Sequence, residues 1–385
     1  EMVREMRKSF VLPLFSLFLF FTFPDLSREV KEYTLPNGLK LIVLKRGLAP
    51  VFTFRTYADV GSVDETLGQT GLAHLFEHMA FKGSSSIGSK DPEKEKQALA
   101  FLESAYQKLR NARRTQQPPE IIQQLEKEFL QWKQKAQEYV ETNEFGMIIN
   151  LNGGVGLNAF TNADSTQYFY SLPSNRLELW AYLESERFAD PVPREFYQEK
   201  DVVLEERRLR NESSPMGKLY EVFVSTAFHA HPYGRPVIGF RSDLEDLSAT
   251  EAEHFFRTFY GAKNLVIAVV GLVEPEEVYR VALKHLSKIP PGDNPAPVVT
   301  REPLLPAEKT VVLYEKAQPA LYIGYPVPEF AHPDRPPLEL LSFILSSGRS
   351  SILYSELVKK RKLVSSVSTS FTPGNKYPRL FTISA

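Results

Sequence analysis

Cysteine is absent from the 385 residues of this chain. That absence excludes disulfide frameworks, thiol nucleophiles, iron–sulfur clusters, cysteine-type zinc fingers and lipoprotein anchors. Histidine is scarce, with seven in all, so a metal site would have to be assembled from a few imidazoles and carboxylates. Neither sign of charge is in excess: 46 basic residues face 47 acidic ones, for a net charge of -1. Such a balance argues against a protein that coats nucleic acid. A hydrophobic share of 43% and a charged share of 24% are those of a soluble globular protein, and the length suggests two domains.

The first residues carry a different signal. Arg4, Arg7 and Lys8 precede an apolar run from Phe10 to Phe23 that is too short to span a bilayer as a helix and is interrupted by Pro13. A basic flank before a short apolar stretch is the pattern of an export signal. The expectation is a signal peptide over residues 1–27, cut near 22–28, and a periplasmic or secreted protein. An uncleaved membrane anchor is the alternative.

A zinc-binding domain is expected over 28–289. LKLIVLK (39–45) and VFTFRTYADV (51–60) read as strands, with Pro36-Asn37-Gly38 as a turn before the first. LAHLFEHMAF (72–81) has the apolar period of a helix. Residues 91–142 read as an inserted hairpin of two charged helices, opened by Asp91 as N-cap and Pro92 behind it and broken at Pro118-Pro119. It is either a solvated structural arm or a lid or partner contact. GGVGLNAFTNADSTQYFYSLP (153–173) reads as two strands joined at Asn162–Ser165. Helices follow at 175–187 and 194–210, then a strand at 263–271 and a helix at 274–289. The Pro-rich stretch 290–306 reads as a linker. Beyond it, TVVLYE and ALYIGYPV are expected as strands, 338–347 and 350–361 as helices, and RLFTISA as a strand. Residues 307–385 are thus expected to form part of a second domain. The fold class is α/β (α+β), with mixed, largely antiparallel sheets covered by helices.

The chemistry concentrates in His74-Leu75-Phe76-Glu77-His78. Positions i and i+4 lie on one helical face, so the two imidazoles point at a common centre, with Glu77 on the neighbouring stripe. Zinc hydrolysis needs such a set: neutral imidazole ligands, an open position, and a carboxylate to take a proton from water. The bland alternative, two satisfied core histidines, would bury Glu77 without a partner. A third protein ligand must be His, Asp or Glu. In REFYQEKDVVLEERRLR (194–210), helical spacing puts Glu199, Val202, Val203, Glu206 and Leu209 on one face, taken as the buried one, with Asp201 and Glu205 on the polar side. Glu206 is then the expected ligand and Glu199 a carboxylate able to orient a histidine, with Glu205 the rival ligand. His229 and His231 have ligand-like spacing but fit a loop better, and Tyr168, Phe169 and Tyr170 fit hairpin packing.

HLFEH, EKDVVLEERRLR, GLNAFTNADSTQYFYSLP and HPYGRPVIG (231–239) together closely resemble the pitrilysin-like zinc metallopeptidases that carry the inverted H-x-x-E-H motif. The branch is that of the mitochondrial processing peptidase and its bacterial homologues. The resemblance runs from about Tyr33 to the end of the sequence. It implies a zinc endopeptidase of two similar α/β domains, with one zinc per chain held by His74, His78 and Glu206 and with Glu77 as general base. It also implies that Asn158 and Ala159 lie on an edge strand that binds an extended substrate by β-addition.

Two features depart from that family. The hairpin at 91–142 lengthens the interval between the histidines and the third ligand. Many relatives also carry an Arg and a Tyr seven residues apart, and the matching places here hold Val358 and Ser365. The developing oxyanion then lacks that donor pair. The resulting expectation is the zinc-bearing subunit of a dimeric protease that acts on peptides or unfolded segments. Its expected partner is a homologous subunit without the zinc motif, with a homodimer as the alternative. Neither nucleic acid nor stable membrane insertion is expected. The rival from another class is a non-catalytic structural or assembly subunit of the same fold.

Overall fold

The computed structural model describes residues 29–293, 295–303 and 307–385. The expected export signal and its cleavage region, 22–28, lie outside the described residues. Among the described residues no helix is long and apolar enough to cross a membrane.

The elements run in order as β1 (Lys31–Thr34), β2 (Lys40–Lys45), β3 (Val51–Ala58), α1 (Leu72–Met79), α2 (Pro92–Arg114), α3 (Pro119–Gln137) and α4 (Glu144–Leu151). Then come β4 (Val155–Thr161), β5 (Thr166–Pro173), α5 (Leu177–Ala189), α6 (Phe196–Arg207), α7 (Pro215–Ala227), α8 (Arg241–Asp246) and α9 (Ala249–Phe259). β6 (Leu265–Gly271), α10 (Pro275–His285), β7 (Tyr322–Val327), α11 (Arg335–Ser346), β8 (Ser368–Thr372) and β9 (Arg379–Ser384) complete the chain.

The first six strands form one mixed sheet in the order β1-β2-β6-β3-β5-β4. Only β2 and β6 run parallel, and the other pairs are antiparallel. Period-2 alternation sends Phe52, Phe54 and Ala58 of β3, with Ile267 and Val269 of β6 and Tyr168 and Tyr170 of β5, to the helix-covered face. There they meet Trp180 of α5, which stands edge-on to Phe52 at 6.1 Å. α1 is fixed to this core by Phe76, stacked on Phe256 of α9 at 4.7 Å. A second sheet, β7-β9-β8, is antiparallel throughout. A small cluster of Val63, Ala163, Phe228, Tyr233 and Leu380 joins the two regions.

Two expectations change. TVVLYE (310–315) joins no ladder; Val312 and Tyr314 stand exposed, so β-propensity without a neighbouring edge does not make a strand. The helical hairpin is present, capped by Asp91 as its composition predicts, but it is no solvated arm. α2 buries Ala98, Leu102, Ala105, Tyr106 and Leu109, whereas α3 buries only Ala136. Within the described part of the Pro-rich stretch, Glu302 is fastened to the first region. The Glu302 carboxylate accepts the backbone N–H groups of His229, Ala230 and His231 at 3.2, 2.9 and 2.9 Å.

Candidate metal centre

α1 begins at Gly71, which sits at φ 92° and has no side chain to cap the helix. Buried Glu65 does so from six residues upstream, accepting the N–H groups of Gly71 and Ala73 at 2.8 Å each. The helix then presents His74 and His78 one turn apart, with ring centroids separated by 5.0 Å. α6 packs against α1 and supplies Glu206. Its Oε1 lies 3.7 Å from His74 Nε2, and its Oε2 lies 3.5 Å from His78 Nε2. One ligand atom from each of the three residues falls within 4.8 Å of the others.

The donor set fits a zinc ion. Two imidazole nitrogens and a carboxylate converge at separations longer than a good hydrogen bond, so they face a common point rather than satisfy one another. The electrostatics differ between the two imidazoles. Burial presses His74 down to about 4, which leaves it the neutral imidazole a ligand must be. Burial also opposes charge on His78, but the flanking Glu199 and Glu206 carboxylates outweigh it and push that imidazole up to about 9. A metal ion bound there would have to displace that proton, and the same two carboxylates would then face the cation.

Glu199 does more than add charge. Its Oε2 lies 3.1 Å from His78 Nδ1, and Lys82 Nζ joins Oε1 at 2.6 Å and Glu195 at 2.9 Å. This contact fixes the ring orientation and directs Nε2 at the cluster. Glu77 stands beside the ligands. Its Oε2 accepts the Thr161 hydroxyl at 2.6 Å, and burial raises its carboxyl above the ordinary value. Arg210 Nη1 lies 2.6 Å from Glu206 Oε1. Glu205 turns to solvent and pairs with Arg208 at 2.6 Å, so it takes no part in the cluster.

The expected buried face of α6 needs correcting. Val202 is 49% exposed and Leu209 56% exposed. The stripe that faces the core is Phe196, Lys200, Val203 and Arg207, and Glu199 and Glu206 stand half-buried on the flank that meets the histidines of α1. Spacing grouped Glu199 with Glu206 correctly, but two polar side chains on the inward stripe, Lys200 and Arg207, disguised which face turns in. Thr161 and Lys82 escaped sequence reading because each acts across elements, and nothing local marks such a partner.

Asn158 and Ala159 lie on β4, the outermost strand of the first sheet. Asn162 N–H donates to Ser165 O at the hairpin turn. Antiparallel alternation then points the backbone groups of Ala159 and Thr161 away from β5. Ala159 N–H is met there by its neighbour's Asn158 Oδ1 at 2.9 Å.

Comparison with known proteins places this architecture. A family model described as insulinase (peptidase family M16) matches residues 42–108, and one described as peptidase M16 inactive domain matches residues 246–385. The second span contains none of His74, Glu77, His78 and Glu206. The zinc protease PqqE of Helicobacter pylori is 30% identical over 343 residues, which cover 87% of this chain and 65% of that protein. The β subunit of the mitochondrial processing peptidase of Neurospora crassa is 26% identical over 68% of this chain and 44% of its own. Among solved structures, that of a protease from Helicobacter pylori superposes with a TM-score of 0.75 at 27% identity, covering 92% of this chain and 74% of the other. The chain therefore spans 65% of the length of the curated zinc protease it matches.

Proposed function

We propose that this chain, which belongs to the M16 or insulinase family of peptidases, is a zinc endopeptidase acting on peptides or unfolded segments. The observation that carries this reading is the convergence of His74, His78 and Glu206 beside a carboxylate, Glu77, that is itself hydrogen-bonded. In the proposed assignment His74 Nε2, His78 Nε2 and Glu206 hold one zinc ion. When bound, zinc supplies a Lewis acid for the scissile carbonyl and makes water more acidic. Glu77 takes the proton from the attacking water and returns it to the leaving amine. Burial makes that carboxylate a better base, and the Thr161 hydroxyl holds Oε2 while Oε1 meets the proton. An extended substrate adds to β4 beside Ala159, which favours unfolded chains over particular side chains.

The absence of Arg and Tyr at Val358 and Ser365 supports a dimeric enzyme whose homologous partner lacks the zinc motif and completes charge stabilisation. The basic flank and apolar run at the start of the sequence support export to the periplasm or beyond. A second reading, a non-catalytic assembly subunit, draws on the inactive-domain description of residues 246–385. The two readings separate in one experiment: hydrolysis of a quenched fluorescent peptide by the purified chain, with Glu77→Gln as control and zinc content measured on both. Activity lost in the mutant while zinc is retained establishes a self-sufficient peptidase and removes the need for the heterodimer. Zinc without hydrolysis directs the search to a companion subunit. A chain that takes up no zinc is the assembly subunit.

A further inference from the structure

Glu206 and Arg207 are adjacent on α6, about 100° apart around the helix, so one faces the ligand cluster when the other faces the body of the protein. Arg207 is 7% exposed. Its Nη1 donates to the backbone carbonyl of Gly239 at 2.7 Å, and its Nη2 donates to Glu221 at 2.9 Å. A buried guanidinium carries a desolvation penalty that a packed apolar side chain avoids, so its position calls for a geometric reason.

Gly239 supplies that reason. It has φ +88°, and a Cβ built there would stand 2.6 Å from Gly71 Cα and 2.5 Å from Thr70 O. Reciprocally, a Cβ on Gly71 would stand 2.7 Å from Ile238 O. The two glycine backbones therefore touch, and Gly71 is the residue on which α1 begins, three positions before His74. From His74 to Glu206 the connection runs through Gly71, Gly239 and Arg207. It consists of one helical turn, one backbone contact and one planar guanidinium, with no exposed flexible side chain in the path.

We propose that Arg207 is a positioning residue that sets the third ligand against the first two by tying the end of α6 to the residue on which α1 starts. The proposal rests on the zinc reading above, because its meaning is the spacing of the ligands. Zinc–ligand distances tolerate only a few tenths of an ångström, so a tie that fixes the two helices against each other acts directly on affinity.

The experiment measures zinc affinity of the full-length chain by competition with a chromophoric chelator, together with cobalt absorption spectra, at a temperature where circular dichroism shows each variant folded. Arg207→Gln is expected to weaken zinc binding by about 10–100-fold and to alter the cobalt spectrum. Arg207→Lys, which keeps a cation able to reach the Gly239 carbonyl and is the safer variant for folding, is expected to recover part of that loss. Glu221→Gln, which leaves the Gly239 contact in place, should bind zinc within about threefold of the wild type. Variants that melt earlier yet keep wild-type zinc affinity and cobalt spectra overturn the proposal and leave Arg207 a stabilising residue only. A wild-type chain that binds no zinc overturns the metal reading itself, an outcome distinct from wild-type binding with unaffected variants.

Discussion

Thr161 has the simplest role of any side chain near the centre: its hydroxyl holds one oxygen of Glu77 at 2.6 Å. That bond lowers the basicity of Glu77 but fixes where its other oxygen stands, so Thr161→Val is expected to lower kcat about tenfold through lost orientation. Zinc content should stay unchanged, because Thr161 touches no ligand. A variant that loses zinc in parallel with activity would show that the hydroxyl supports the fold of the site instead of the base. At this scale the sequence was most informative where chemistry is local. Two histidines four apart on an apolar helix announce themselves, and the glutamate between them follows. Glu206 is reachable through helical phase, but only as a partner of Glu199; the phase alone does not tell the flank that meets α1 from the buried stripe. Thr161 and Lys82 could not be read, since their partners lie 84 and 117 residues away and their meaning arises only when β4 and α6 close around α1.

Elements were legible in proportion to how strongly they carry their own signals. Asp91-Pro92 opens α2 and Pro118-Pro119 separates it from α3, as capping chemistry requires. What that chemistry does not specify is docking, which is why a hairpin with so charged a composition still buries an apolar stripe on α2. TVVLYE failed for the complementary reason, since a strand exists only with a neighbour. The Glu302 clasp was invisible because a lone glutamate in a Pro-rich stretch looks solvated. Burial alone would raise that carboxyl, yet the three backbone N–H donors and His229 outweigh it and hold Glu302 below its ordinary value of 4.5. A depressed folded value means that the stabilisation is present above 4.5 and is lost as pH falls through the lower, folded value. The stretch 295–303 should therefore resist limited proteolysis at neutral pH and become susceptible in acid-stable protease digests. Glu302→Gln should be cut faster at neutral pH and lose most of the acid dependence. Equal cleavage of mutant and wild type at both pH values would show that other contacts hold the stretch.

At the scale of the whole molecule, the antiparallel-dominated sheets and their covering helices correspond to the expected α/β class, and proteins named as zinc proteases are among those the chain resembles. The proposed division of labour between two subunits turns on Val358 and Ser365. If a partner supplies the missing donors, Val358→Arg combined with Ser365→Tyr should raise the peptidase rate of the isolated chain, measured with the same fluorescent peptide. An unchanged or lower rate would count against that arrangement.

One consequence follows from the outermost strand. The backbone groups of Ala159 and Thr161 point to the same side, away from β5, and the side chain of Thr161 holds Glu77, the proposed base. A polypeptide laid along that side is gripped by its repeating amides rather than read by letter. Sliding it by one residue, with a half-turn about its own axis, would restore every amide pairing and only exchange the faces its side chains occupy, so the proposed mode of binding leaves every register open. The strand would then be a rail without stops, and digests of a low-complexity polypeptide would form a ladder whose rungs differ by single residues.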